Sequence, residues 1–264
     1  MRALGAASVV LVAARDSLKR IIGVVGMEGF CRVIQEVHAA TGLPVLADAD
    51  TGFGEEENMT KTTLEYYRAG AAGMHVEDQV FPKRCGHLGG KSLIETERMV
   101  SKLARAVAAR DRIQAQGGDF IVCARTDARS VTGLDDAIER ASAYADAGAD
   151  LIFPEGLNNA EEFKIFADAM APREDLFLLA NMTEFGTTDI ISITEFEALG
   201  YDAVIYPASS MRAAMGAVTR LFADLRATGH VKASLPDMQT RKELYETLEY
   251  TPGEEWVMPA HFNK

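Results

Sequence analysis

Two acids one residue apart, Asp48-Ala49-Asp50, close an apolar run that begins at Val45. Alternate side chains of a strand share a face, so both carboxylates point the same way. Hard oxygen donors in that arrangement suit Mg²⁺, which takes carboxylates and keeps several waters, and Mn²⁺ accepts the same donors. The pair would serve equally as a turn before Thr51-Gly52. A second run ends in His75-Val76-Glu77-Asp78, with His75 and Glu77 on one face. Glu77 could join the aspartates through a metal-bound water. His75 reads as a hydrogen-bonded interior residue rather than a ligand.

Lys83-Arg84-Cys85-Gly86-His87 is the most informative stretch. Two cations before a thiol and an imidazole after it favour the thiolate. Cys85 could then act as nucleophile or as general acid and base. Gly86 lets backbone approach a ligand closely. Gly89-Gly90 predicts a mobile loop able to close as a lid. A solvated basic loop with an incidental cysteine is the plain alternative. Cys123 in a strand-like run and Cys31 in a helical one read as inert core thiols.

Further polar groups end further runs. Arg125-Thr126-Asp127 offers a guanidinium for bidentate carboxylate binding, or an ion pair with Asp127 or a neighbouring strand's acid. Glu155 follows Pro154, and Asn181 and Thr183 flank Met182. Arg212 and Arg241 come later, and each could bind a carboxylate or form a surface salt bridge.

Elements must gather these residues. Seven short apolar runs read as strands: Val9–Val12, Val45–Asp50, Gly73–Gln79, Phe120–Asp127, Leu151–Glu155, Phe177–Glu184 and Ala203–Ser209. Helical patterns separate them, at Met27–Ala40, Met59–Ala69, Glu95–Ala109, Leu134–Ala147, Ala160–Met170, Ile193–Leu199 and Met211–Arg226, with one more over Asp237–Tyr250. Several stop at glycine, at Gly70, Gly148 and Gly200. Such alternation predicts a parallel sheet buried on both faces. Polar residues at successive strand ends predict a barrel with its site at the C-terminal rim. A doubly wound sheet would carry a glycine-rich phosphate loop after its first strand, and none is present.

The 264 residues, 48% hydrophobic and 25% charged, read as one soluble domain over 1–264. A net charge of −12 argues against nucleic acid and anionic membrane as partners. An anionic substrate would need local cations or a metal. Three cysteines make no disulfide framework and suggest a reducing compartment, cytoplasmic or, in a eukaryote, mitochondrial. The apolar segment Ala3–Ala14 reads as a buried strand more than as a targeting segment.

These motifs resemble the isocitrate lyase and phosphoenolpyruvate mutase superfamily. The similarity runs through Leu46-Ala47-Asp48-Ala49-Asp50-Thr51-Gly52-Phe53-Gly54, His75–Gln79, the Lys83–His87 signature, Ala124–Asp127, Phe153–Glu155, Ala180–Gly186 and Met238–Tyr245. It covers roughly residues 26 to 250. The Thr-Glu-Phe-Gly run and the Met-Gln-Thr-Arg tail are most similar to the branch that cleaves 2-methylisocitrate to pyruvate and succinate. The resemblance implies a Mg²⁺-dependent (β/α)₈ TIM-type barrel, a homotetramer, and a C-terminal helix swapped between subunits. It assigns metal binding to Asp48, Asp50 and Glu77. It assigns a small tricarboxylate to Cys85, Gly86, Arg125, Glu155, Asn181, Thr183, Arg212 and Arg241, with Cys85 as the catalytic acid. Sister lyases acting on isocitrate or 2,3-dimethylmalate share the loop, whereas mutases usually lack its cysteine.

The first 25 residues diverge from that pattern. The family's opening helix, first strand and following helix have no counterpart, so seven strands stand where eight are expected. Ala13-Ala14-Arg15-Asp16-Ser17 replaces a Ser-Gly-Gly-type loop, and Arg20-Ile21-Ile22-Gly23 replaces a run containing an active-site Asp. An open barrel edge and impaired catalysis are the expected consequences.

Overall fold

A computed structural model of the chain describes residues 23, 25–86 and 88–257. The expected Val9–Val12 strand, the divergent segment up to Ile22, and His87 lie outside the described residues. Cα packing divides the chain into two compact units, Met1–Pro207 and Ala208–Lys264.

The first unit alternates helix and strand: α1 (Met27–Thr41), β1 (Leu46–Asp48), α2 (Glu56–Arg68), β2 (Gly73–Glu77), α3 (Thr96–Ala115), β3 (Ile121–Thr126), α4 (Leu134–Asp146), β4 (Leu151–Pro154), α5 (Ala160–Met170), β5 (Phe177–Asn181), α6 (Ile193–Ala198) and β6 (Ala203–Ile205). All six strands are parallel and lie side by side in chain order. A doubly wound sheet would reverse that order partway. Sequential order is that of a singly wound barrel, with β1 and β6 as its edges among the described residues.

The strands are apolar on both faces, and the two faces have different partners. Val45, Ala47, Met74, Val76, Val122, Ala124, Ile152, Leu178 and Ala180 pack against the helices in the main core. The opposite face gathers Leu46, Cys123, Leu151, Phe153, Leu179 and Ile205 into a smaller cluster. Register keeps this second face continuous, pairing Asp48 with His75, His75 with Cys123, Glu77 with Arg125, and Arg125 with Phe153. Its N-terminal half is therefore apolar, and its C-terminal half carries the ionisable groups.

Helix ends follow the sequence signals. Gly70, Gly148 and Gly200 take positive φ of 96°, 96° and 92° just past α2, α4 and α6, the left-handed conformation glycine adopts without a Cβ clash. Asn159 caps α5 by accepting from the Glu162 N–H, and Ser192 with Glu195 forms a capping box on α6.

The second unit holds α7 (Ser209–Thr228), a 3₁₀ segment (Lys232–Asp237) and α8 (Arg241–Thr247). The helix expected over Asp237–Tyr250 is shorter, because Thr240 caps it afresh by accepting from the Glu243 N–H. Pro236 already fits the preceding 3₁₀ turn and cannot donate within a helix.

Phe163 illustrates the packing of the helix layer. It is buried, with its ring edge-to-face on Phe196 at 5.0 Å and on Tyr201 at 5.2 Å. Phe163→Ala is expected to destabilise the chain by about 3–5 kcal/mol through lost burial and the cavity left behind. Denaturant unfolding of the two proteins measures it, and a change below about 1 kcal/mol would mean the cluster collapses around the gap.

Candidate active site

The acidic loop after β1 is fixed from outside. Tyr66 on α2 donates its hydroxyl to the Asp48 carbonyl at 2.8 Å, Thr62 donates to the Gly52 carbonyl at 3.1 Å, and Lys102 on α3 donates to the Thr51 carbonyl at 2.5 Å. Asp48 Oδ1 accepts the Asp50 N–H at 2.8 Å, and Asp50 itself takes a positive φ of 47°. Both side chains thereby turn to the rim. Such a conformation is uncommon outside glycine and least costly for Asn and Asp.

Glu77 ends β2 with its carboxylate fully buried and neither oxygen hydrogen-bonded, and the Asp50 oxygens also lack a hydrogen bond. What faces these acids is Lys83. Its Nζ pairs with Asp50 Oδ1 and lies 3.8 Å from Asp48 Oδ2 and 3.6 Å from Glu77 Oε2. Among the described residues no three His, Cys, Asp or Glu side chains form a preformed metal cage. The three carboxylates instead share one ammonium.

Burial pushes Glu77 up to about 8, although Arg125 and Lys83 oppose it. Burial, helped by the nearby Asp48 charge, raises Asp50 to about 6. Burial also works against ionisation of Asp48, but the Lys83 ammonium prevails and holds it well below the carboxylate range. His75 behaves as an interior residue. It is buried against Phe153 at 5.6 Å, its Nδ1 is 3.8 Å from Asp48 Oδ1, and burial pushes it down to about 4, so the ring is neutral at pH 7.

Arg125 on β3 is enclosed by acids. Its Nε and Nη2 donate to the two Asp127 oxygens at 2.9 and 3.1 Å, Nη1 lies 3.2 Å from Glu155 Oε2, and Nε lies 3.4 Å from Glu77 Oε2. The guanidinium also stacks over Phe153 at 5.1 Å. Of the two roles open to Arg125 in the sequence, the ion pair is the one seen. Asn181 at the end of β5 donates to both Glu155 oxygens at 3.2 and 3.3 Å, with its own Oδ1 left unbonded. Thr183 is buried just beyond.

The thiol loop reaches this group. Lys83 sits among the aspartates, and Gly86 lies so close to the β3 and β4 ends that a Cβ would fall 2.6 Å from Arg125 Nη2 and collide with Glu155. Cys85, between them, is half-buried and unpaired in any disulfide. Lys91 closes the loop, its ammonium donating to the Gly86 carbonyl and, at 2.8 Å, to Asp127 Oδ1. Asp78 faces the other way, accepting from Thr126 and Tyr144 at 2.8 Å and from the Asp127 N–H at 3.0 Å, which pins the ends of β2 and β3 together. Beside the acidic loop a cavity of about 830 Å³ is lined in part by Asp50, Gln79, Lys61, Arg98 and Lys102.

Asp48, Asp50, Glu77, Gly86, Arg125, Glu155 and Asn181 thus belong to one connected group, which the thiol loop joins through Lys83 and Gly86 on either side of Cys85. Arg212 and Arg241 lie in the second unit, exposed, in the opening turns of α7 and α8. Sequence reasoning did not count Lys83, Lys91 or Asp127 as site residues. For Lys83 and Asp127 a signal existed: one residue separates Lys83 from Cys85, and Asp127 shares a strand face with Arg125. Lys91 had none, since its partner Asp127 is 36 residues away.

The donor set suits a divalent cation. Five buried or part-buried carboxylates (Asp48, Asp50, Glu77, Asp127, Glu155) face three cations (Lys83, Lys91, Arg125). The acids outnumber the cations, and burial raises Asp50 and Glu77, the two acids whose oxygens lack a hydrogen-bond partner.

The family model for phosphoenolpyruvate phosphomutase matches residues 2–226. A probable 2-methylisocitrate lyase of Corynebacterium glutamicum is 46% identical over 239 residues, 90% of this chain and 76% of that protein. Among solved structures, 2,3-dimethylmalate lyase superposes with a TM-score of 0.76 at 34% identity, covering 85% of this chain and 72% of the other. Phosphonopyruvate hydrolase in complex with oxalate and Mg²⁺ gives 0.72 at 29%, covering 86% and 76%. A sheet wound in chain order, an acid cluster at its rim and a thiol loop seated on that cluster accord with these likenesses, and the chain belongs to the phosphoenolpyruvate mutase/isocitrate lyase superfamily.

Proposed function

We propose that this chain is a carbon–carbon lyase that cleaves 2-methylisocitrate to pyruvate and succinate, with Mg²⁺ held by Asp48, Asp50 and Glu77. The observation that carries this reading is the meeting of two halves at one rim. Lys83 and Gly86 bring Cys85 to the same carboxylate and guanidinium cluster that ends β1 to β4. The 46% identity to a probable 2-methylisocitrate lyase supports the choice of substrate.

The bound ion would supply Lewis-acid stabilisation of the substrate's hydroxyl oxygen as its proton leaves. The remaining work falls to the chain. Gly86, Asn181, Thr183 and Glu155 surround the substrate's polar groups. Arg125, held by three acids, offsets part of their charge beside the succinate half, where negative charge develops. Breaking the C–C bond leaves an electron pair on that half, and the Cys85 thiol protonates the carbon. The hydroxyl proton released at the other half restores the thiol over the full cycle. Arg212 and Arg241 bind substrate carboxylates in this proposal, as the resemblance implies.

Assembly as a homotetramer is part of the same reading. Met211, Met215, Val218, Phe222 and Leu225 recur every three or four residues along α7, the pattern of a helix that buries one face. The unpaired cysteines support a cytoplasmic setting.

Pyruvate and glyoxylate release measured in parallel from 2-methylisocitrate, isocitrate and 2,3-dimethylmalate, with Mg²⁺, tests the assignment. Turnover is expected on 2-methylisocitrate above the other two; glyoxylate release from isocitrate as the main activity would reassign the substrate. Cys85→Ser should retain binding of succinate and lose about 10²-fold or more of kcat, and near-wild-type turnover would remove the thiol from the chemistry. Gly86→Ala should lose activity by a comparable factor of about 10²-fold, because the new methyl displaces Glu155 or lifts the loop. Mg²⁺ affinity should rise with pH. The raised Asp50 and Glu77 hold protons that the cation must displace, so binding weakens below about 8 and again below about 6. Calorimetry across pH 5–9 measures it, and a flat profile would show that these acids are not the ligands.

A further inference from the structure

The thiol loop is tied at both ends by polar side chains that the proposed chemistry does not use. At its near end the Gln79 amide donates to the Arg84 carbonyl and accepts the Arg84 N–H, each at 2.9 Å, as a strand neighbour would. At its far end is Lys91, whose side chain is 1% exposed. Its ammonium donates to the Gly86 carbonyl and to Asp127 Oδ1. Asp127 has a second commitment, taking the Arg125 fork on both oxygens. A single carboxylate therefore holds the loop's lysine and the guanidinium that contacts Glu77 and Glu155. Lys91 and Arg125 keep Asp127 ionised, down to about 2, against the effect of burial.

A loop anchored only for stability could use an apolar side chain, without the heavy desolvation cost of a buried ammonium. What an ammonium adds is direction, since it fixes one carbonyl oxygen relative to one carboxylate. The fixed carbonyl belongs to Gly86, the residue after the thiol. With Arg84 held by Gln79 on one side and Gly86 by Lys91 on the other, Cys85 has little backbone freedom left.

We propose that Lys91 is a positioning residue, setting the Cys85 thiol against the reacting carbon by locking the Gly86 carbonyl to the Asp127–Arg125 pair. The proposal rests on the lyase reading for its catalytic consequence. Its structural half, the restraint on Cys85, is measurable without turnover.

The test uses the full chain with Lys91→Met, which keeps the length and removes the charge. Folding is compared by circular dichroism and thermal melting, kcat and KM by pyruvate release, and Cys85 exposure by iodoacetamide alkylation read by mass spectrometry. Buried Cys123 is the internal control. Lys91→Met is expected to alkylate at Cys85 about fivefold faster or more, with Cys123 unchanged, and to lose about 10- to 100-fold in kcat with KM within about threefold. If that variant fails to fold, Lys91→Gln, which retains a donor for the Gly86 carbonyl, takes its place and should fall between the two. Alkylation at the wild-type rate, or a loss seen in KM alone, would overturn the proposal. A wild-type chain inactive on every acid tested would defeat the lyase reading by itself, and the alkylation comparison would still decide whether Lys91 restrains the thiol.

Discussion

Five carboxylates and three cations share a low-dielectric rim, and their charges must be balanced there because water cannot do it. Charges removed from water are tolerated only when closely paired. Every arrangement at the site follows from that constraint. Lys83 is drawn among Asp48, Asp50 and Glu77, Arg125 is ringed by acids, and Lys91 is pulled under the thiol loop to reach Asp127. The acids still outnumber the cations, and Asp50 and Glu77 respond with raised pKa values; a divalent ion there would displace their protons and complete the balance.

The sheet makes this concentration of charge possible by dividing its two faces. Residues toward the helices are apolar and supply the main core. The other face is apolar near the N-terminal strand ends and ionic near the C-terminal ones. Buried charge is thereby confined to one end of a rigid parallel array, where loops can reach it. Pinning of β2 to β3 through Asp78, Thr126 and Tyr144 supports that end from the helix side.

Most of the fold was legible because its signals are local. Each of the six described strands and the helices between them overlaps the segment that apolar periodicity marked, and the glycine stops at Gly70, Gly148 and Gly200 are where helices end. The bounds differ, since the Phe177–Glu184 and Ala203–Ser209 runs stop as strands at Asn181 and Ile205, Ser209 opens α7, and α3 runs on to Ala115. The acid pair and the thiol loop were legible for the same reason, as motifs within a few residues. Long-range pairing was not. Nothing near Lys91 in the chain marks it as a partner of Asp127, whereas the Arg125–Asp127 ion pair, two residues apart on one strand face, was among the roles the sequence offered. Sequence spacing reports which side chains share a strand face. It does not report which ones a loop returning from elsewhere will meet.

The close seat of Gly86 on Glu155 links two stretches of chain some seventy residues apart. The loop can carry a larger residue at that point only if the acid ending β4 is shortened or turned aside. Drift at either position is therefore conditional on the other. A designer wishing to remodel the loop for a bulkier ligand would have to vary the two together, since single changes at either would be screened out before their benefit could be seen.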